Sequence, residues 1–218
     1  MKISLIRHGR TTARQAPRIR ATTFAAWLSE YDQAGIDPTL PPPDSLTRSL
    51  ATCALLITSP TRRAIESATA LGVAAERRVV FEAREAPLPS RIVWPLSHRP
   101  RTFVVVARIL WLLGLARAEE SKKQVVLRAQ HLASQLSSLA FDFGHVALVG
   151  HGYMNIFLRK QLEGAGWGSS DSRSHSHWSC SHLEKSKPNQ SVQRNAGSRP
   201  TSGDSTASET PSSLGPRG

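Results

Sequence analysis

Cysteine is scarce. The 218 residues hold two, Cys53 and Cys180. Two widely separated thiols cannot make a disulfide framework, and a reduced, cytoplasmic setting is the expectation. Long apolar runs are missing too. The longest, Phe103 to Ala116, contains Arg108 and is too short to cross a bilayer, so no membrane segment is expected. The apolar run after Met1-Lys2 stops at Arg7, which argues against a secretory signal. Aromatic residues are 6% of the chain, and no platform of interleaved aromatic and basic residues is present. No internal repeat occurs. Acidic residues are outnumbered, 16 against 28 Lys and Arg, for a net charge of +12. Ten of those twelve charges fall within residues 1–165, on the expected folded part. Such an excess suits an anionic partner. A generally basic proteome is the plainer account.

What is present is a series of short apolar runs that end in polar clusters. Ile3 to Ile6 leads into Arg7-His8-Gly9. Ala54 to Thr58 leads into Ser59 to Arg63. Val79 to Phe81 leads into Arg84-Glu85, and Val146 to Val149 leads into Gly150-His151-Gly152. Runs of this kind read as buried parallel strands. Between them lie helical patterns: Thr61 to Leu71, Thr102 to Leu115 (read as largely buried), Glu119 to Leu139 and Asn155 to Leu162. Residues 10–50 read as irregular, with a helical turn or two over Phe24 to Tyr31. His177 to Leu183 reads as a terminal strand. Strands alternating with helices predict a three-layer α/β/α fold with a mostly parallel sheet. Residues 1–185 are expected to form the catalytic domain. Residues 186–218, rich in Ser, Pro and Gly, are expected to be a disordered tail.

In open parallel sheets the carboxyl ends of the strands form the ligand crevice. Two histidines, two arginines and one carboxylate could meet there. A single buried histidine is usually a core residue, but two His-Gly steps at matching strand ends are a rarer coincidence. The set suits phosphoryl transfer. Imidazole is unprotonated near neutral pH, fixed guanidiniums clamp phosphoryl oxygens, and a carboxylic acid protonates a leaving alkoxide. No metal or other cofactor is required by such a set.

The motifs resemble those of the histidine phosphatase superfamily, the phosphoglycerate mutase-like fold. Its opening Arg-His-Gly is matched by Arg7-His8-Gly9. Its Ser-x-x-x-Arg-Ala-x-x-Thr-Ala motif is matched from Ser59 to Ala68, with Ser67 for Thr, which places the phosphate clamp on Arg63 ahead of Arg62. Its acid is matched by Glu85, with Glu82 as the rival, and its second His-Gly by His151-Gly152. The similarity spans roughly residues 1–165. It departs at Arg14 and Gln15, where the family often has Asn, and in the loop 10–50. The resemblance implies that His8 is the phosphoryl acceptor and that Arg7, Arg63 and a cationic His151 hold the phosphoryl oxygens. Glu85 is then the proton donor. The implied partner is a phosphorylated small molecule or a phosphoprotein.

Two other readings stand beside hydrolysis by a phosphatase. One is a mutase-like phosphotransferase; the 66 positions from Glu85 to His151 leave less room than the family's mutases use. The other is a non-catalytic phosphate- or nucleic-acid-binding module, disfavoured because the cations are scattered rather than striped. His175, His177, Cys180 and His182 form a cluster that could bind zinc, although alternation along a terminal strand explains it more simply. The helix around Ile109 to Leu113 reads as core, with a homodimer surface as the alternative.

Overall fold

A computed structural model describes residues 1–13, 17–169, 174 and 176–186. Met1–Ser186 forms one compact unit. The tail expected to be disordered lies, beyond Ser186, outside the described residues, as does His175.

The chain order is β1 (Lys2–Arg7), α1 (Ala21–Gln33), α2 (Asp44–Ser49), β2 (Leu55–Thr58), α3 (Arg62–Ala70), β3 (Glu76–Val79), α4 (Pro100–Leu112), α5 (Lys122–Phe143), β4 (His145–Gly150), α6 (Gly152–Gly164) and β5 (Cys180–Glu184). The five strands form one sheet in the order β3-β2-β4-β1-β5. The first four are parallel, and β5 runs antiparallel to β1. This is the α/β/α arrangement expected from the alternation of elements.

Side chains on each central strand alternate between two helical layers. Ile3, Leu5, Leu55, Ile57, Val146 and Leu148 pack with the buried faces of α5 and α6, including Val125, Leu132, Leu136, Leu158 and Leu162. Ile6, Leu56, Ala147 and Val149 pack on the other side with Leu46 and Leu50 of the α2 region and with Ala64, Ala68 and Leu71 of the α3 region. With both faces covered, these strands read as continuous apolar runs. A third cluster, Phe24, Ile92, Phe103 and Ala107, joins α1 to α4.

Three expectations are corrected. Strand β3 lies three residues earlier than Val79–Phe81, as an exposed edge strand, Glu-Arg-Arg-Val. Phe81–Ala83 is a 3₁₀ turn that contains Glu82. The segment 10–50 holds two helices, and α1 runs a full 13 residues. Helix α4 is not largely buried: Val105, Ile109 and Leu113 are exposed, while Phe103, Ala107, Arg108 and Trp111 face inward. The apolar residues pack on one side only because α4 lies at the margin, against α1.

A polar chain crosses the sheet below the core. Thr52 Oγ1 meets His145 Nδ1 at 2.9 Å, and His145 Nε2 and His182 Nδ1 each lie 2.8 Å from Ser4 Oγ. One hydroxyl proton serves two rings, so Ser4 donates to one and accepts N–H from the other. Burial, then Lys2 and His182, push His145 down to a pKa of about 4. An unfolded histidine titrates near 6.5, so between these values the unfolded chain binds more protons than the folded one. His145 therefore gives its full support above about pH 6.5, loses it as pH falls to about 4, and changes nothing further below. The loss is at most about 3 kcal/mol. Urea unfolding at pH 7.5, 5.5 and 4 checks this: His145→Gln should flatten the slope, and an unchanged slope would refute the assignment.

Candidate active site

Inserting β4 between β1 and β2 places the ends of three strands side by side. His8 N donates to Gly150 O (3.1 Å) and Ser59 N donates to Val149 O (3.1 Å). His151 therefore stands between the loop after β1 and the loop after β2. The rings of His8 and His151 meet edge to face with centroids 5.2 Å apart.

His8 is buried, and its Nδ1 lies 2.8 Å from Gly9 O. A carbonyl only accepts, so Nδ1 carries the proton and Nε2 keeps its lone pair. Burial holds His8 well below the ordinary histidine pKa, and His151, Arg63 and Arg7 push the same way against the Gly9 carbonyl. The next residue is pinned as well. Gly9 N donates to Ser67 Oγ (2.9 Å), and Ser67 Oγ donates to Arg63 O (2.6 Å). The hydroxyl at position 67 thus joins the first motif to the second.

Arg63, on α3, is buried, whereas Arg62 is exposed and paired with Glu66. Arg63 Nη1 donates to Tyr31 O (3.3 Å) and Asp32 O (3.1 Å), and Nη2 to Asp32 Oδ1 (3.2 Å). Its guanidinium also lies over the Tyr31 ring, 5.1 Å from the centroid. These contacts use the end of the guanidinium. The side-on fork, Nε–H with the second Nη2–H, has no partner at Nε among the described residues. That fork matches two oxygens of a phosphoryl group.

His151 Nε2 lies 2.7 Å from Ser59 Oγ and 3.3 Å from Thr61 Oγ1. Burial, then Arg63, Arg7 and Arg128, hold its pKa well below 6.5. The positive charges around this fully buried ring favour its neutral form. Glu85 sits at the start of α6. Its Oε1 accepts from Ala86 N (2.9 Å) and Met154 N (2.9 Å), and its Oε2 accepts from Tyr153 N (3.3 Å). Arg7 ends β1 opposite Gly150, and its guanidinium packs about Gly152, within 3.7 Å of where a side chain there would begin. All five expected residues thus gather at one end of the sheet.

Several contributors were not expected. Asn155 Nδ2 donates to Ile6 O (3.0 Å), tying α6 to β1, and its Oδ1 fills the space a side chain at Gly150 would need. Buried Arg108 and the shielded side chain of Arg128 hold the loop that carries Glu85. Arg108 donates to Ala86 O (2.9 Å) and Pro87 O (3.1 Å), and Arg128 donates to the carbonyls of Glu82, Arg84 and Glu85. Both gave a signal in the sequence, as a charge inside an apolar helical pattern. Of the possible His/Cys cluster, Cys180 Sγ lies 3.7 Å from His182 Nδ1, which also meets Ser4, whereas His177 joins His8 with ring centroids 5.7 Å apart. Among the described residues no group of three or more His, Cys, Asp or Glu could hold a metal. Among them, too, no helix is long and apolar enough to cross a membrane.

No family model and no curated protein matches the chain. Solved structures do. A mycobacterial glucosyl-3-phosphoglycerate phosphatase in complex with VO3 superposes with a TM-score of 0.52 at 19% identity, over 84% of this chain and 92% of that one. The protein of the Mycobacterium tuberculosis open reading frame Rv3214 superposes with a TM-score of 0.51 at 18% identity, over 83% and 89%. Likeness at this identity establishes the fold, the phosphoglycerate mutase-like α/β/α arrangement that the four motifs implied.

Proposed function

We propose that this chain is a metal-independent phosphatase that hydrolyses a phosphate monoester through a phosphohistidine on His8. The observation that carries the reading is the buried His8 ring, with Nδ1–H anchored on Gly9 O and its Nε2 lone pair left as the nucleophile. Nε2 attacks phosphorus as the bond to the leaving oxygen breaks. Arg7, the Arg63 fork and His151 take the charge on the three phosphoryl oxygens. A bound dianion offsets the positive field around His151 and favours its cationic form. Glu85 gives its proton to the leaving oxygen; Oε2, with a single long backbone bond, is the freer oxygen to carry it. Water then attacks phosphorus, its proton returns to Glu85, the N–P bond breaks and His8 is regenerated. The substrate is a phosphorylated small molecule or a phosphoprotein.

The test is phosphate release over a panel of sugar phosphates, nucleotides and phosphopeptides. Isomerised phosphoglycerate without phosphate release would favour the phosphotransferase reading instead. Glu85→Gln should slow turnover about 10²- to 10³-fold for an alkyl ester, and by less than about tenfold for a nitrophenyl ester whose leaving group needs no proton. Equal losses on both esters would remove Glu85 from the acid role.

A further inference from the structure

Helix α4 has one buried side and one bare side. Phe103, Ala107, Arg108 and Trp111 face inward, and Arg108 fixes that side on the carbonyls of Ala86 and Pro87. Val105, Ile109 and Leu113 follow one another at intervals of four, which lines them up along the outer face. Each is half or more exposed, and so is Leu115 just beyond the helix. The loop that enters α4 adds exposed Trp94 and Leu96. This loop is fixed beside the first turn: Ile92 packs with Phe103, and the His98 ring meets that of Phe103 with centroids 6.3 Å apart. Single exposed apolar residues are ordinary, whereas an apolar stripe with an apolar loop beside it marks a contact surface.

The charge of this stretch decides what the surface meets. Between Glu85 and Glu119 the chain has no Asp or Glu, and it has five arginines. Arg108 is buried, but Arg91, Arg99, Arg101 and Arg117 are exposed. Arg101 stands four residues before Val105, at the head of the stripe, and Arg117 follows its other end. A twofold-related copy would bring the same cations against the same stripe, with no acid from this segment to answer them. Nucleic acid supplies negative charge but no apolar layer for Val105, Ile109 and Leu113. An anionic lipid surface supplies both. Its headgroups suit the arginines, its acyl boundary suits the aliphatic side chains, and tryptophan suits the depth between them.

We propose that the outer face of α4 and the loop before it dock this chain on an anionic lipid surface, with the helix lying in the headgroup plane. The attachment is peripheral and needs no spanning helix. It does not depend on the chemistry at His8.

The test is co-sedimentation of the full chain with vesicles of phosphatidylcholine alone or with about one third phosphatidylglycerol. Partition onto the anionic vesicles should be favoured by at least about tenfold. Val105→Ser combined with Ile109→Ser leaves the charge unchanged and should weaken that partition by about tenfold or more. Arg101→Ser should weaken it about fivefold. Arg48→Ser removes the same charge from α2, which packs on the other side of the sheet, and should change it by less than about twofold. All four side chains are exposed, so the fold does not rest on them. No preference for anionic vesicles, or equal losses in Arg48→Ser and Arg101→Ser, would overturn the proposal. So would a partition that survives the loss of both aliphatic side chains. A dimer by light scattering that Ile109→Asp dissociates, with no vesicle binding by the wild type, would assign the stripe to a second copy instead.

Discussion

Replacing His8 with alanine is expected to reduce turnover of any phosphomonoester by about 10⁴-fold or more, because the nucleophile itself is removed. Loss of folding is the competing explanation. His8 is buried and its Nδ1–H satisfies Gly9 O, so truncation leaves a small cavity and an orphaned carbonyl at a cost of about 1–3 kcal/mol. A folded variant should still bind inorganic phosphate, since Arg7, Arg63 and His151 remain. The wild-type enzyme, quenched during turnover of a radiolabelled ester, should carry label that survives alkali and is released by acid, as a phosphorylated imidazole does. His8→Ala should carry none. Phosphate release by His8→Ala within tenfold of wild type, on a clean substrate, would end the phosphohistidine mechanism.

The site was legible in the sequence where the fold uses buried parallel strands. β1, β2 and β4 are covered on both faces, so each is a continuous apolar run, and the polar residues just beyond it fall at the crevice. That is why His8, Ser59 and His151 could be placed from pattern alone. β3 gave no such signal. It is an exposed edge, Glu76 to Val79, and the apolar Val80-Phe81 that follows drew the strand downstream. Helix α1 was hidden for another reason. Phe24 is its one buried residue, and the helix is held by packing on Phe103 of α4, a contact no local pattern records. His177 was visible as a residue but not as a neighbour of His8. Its position depends on β5 returning antiparallel beside β1 and on the unusual backbone of Trp178. Arg128 could have been found. Val125, Ala129, Leu132 and Leu136 define the buried stripe of α5, and Arg128 lies three residues after Val125 and four before Leu132, which puts it on that stripe.

Arg128→Met is expected to cost about 3 kcal/mol of stability and to lower kcat with it. All five guanidinium protons are engaged: Nε with Glu120 Oε1 (3.1 Å), Nη1 with the carbonyls of Glu82 (2.6 Å) and Arg84 (2.8 Å), and Nη2 with Glu120 Oε2 (2.7 Å) and Glu85 O (3.4 Å). Its side chain is 8% exposed and that of Glu120 17%, so the pair is shielded from water and its loss is not a surface effect. Methionine conserves the volume but leaves the carbonyls without donors and Glu120 with Arg84 as its remaining partner, at 2.8 Å. That remaining ion pair keeps the cost near the lower end of the range for breaking a buried pair, about 3–5 kcal/mol. The carbonyls belong to the segment that aims Glu85 at the start of α6, so an alkyl ester should be turned over about tenfold more slowly, with a smaller effect on a nitrophenyl ester. Adding Glu120→Leu removes the carboxylate left behind and should recover part of the lost stability but none of the lost kcat, since the loop carbonyls remain unheld. Urea unfolding of the two variants beside the wild type measures the first claim, and the ratio of the two esters measures the second. A loss below about 1 kcal/mol in Arg128→Met, or equal slowing of both esters, would show that the guanidinium does not hold the acid in place.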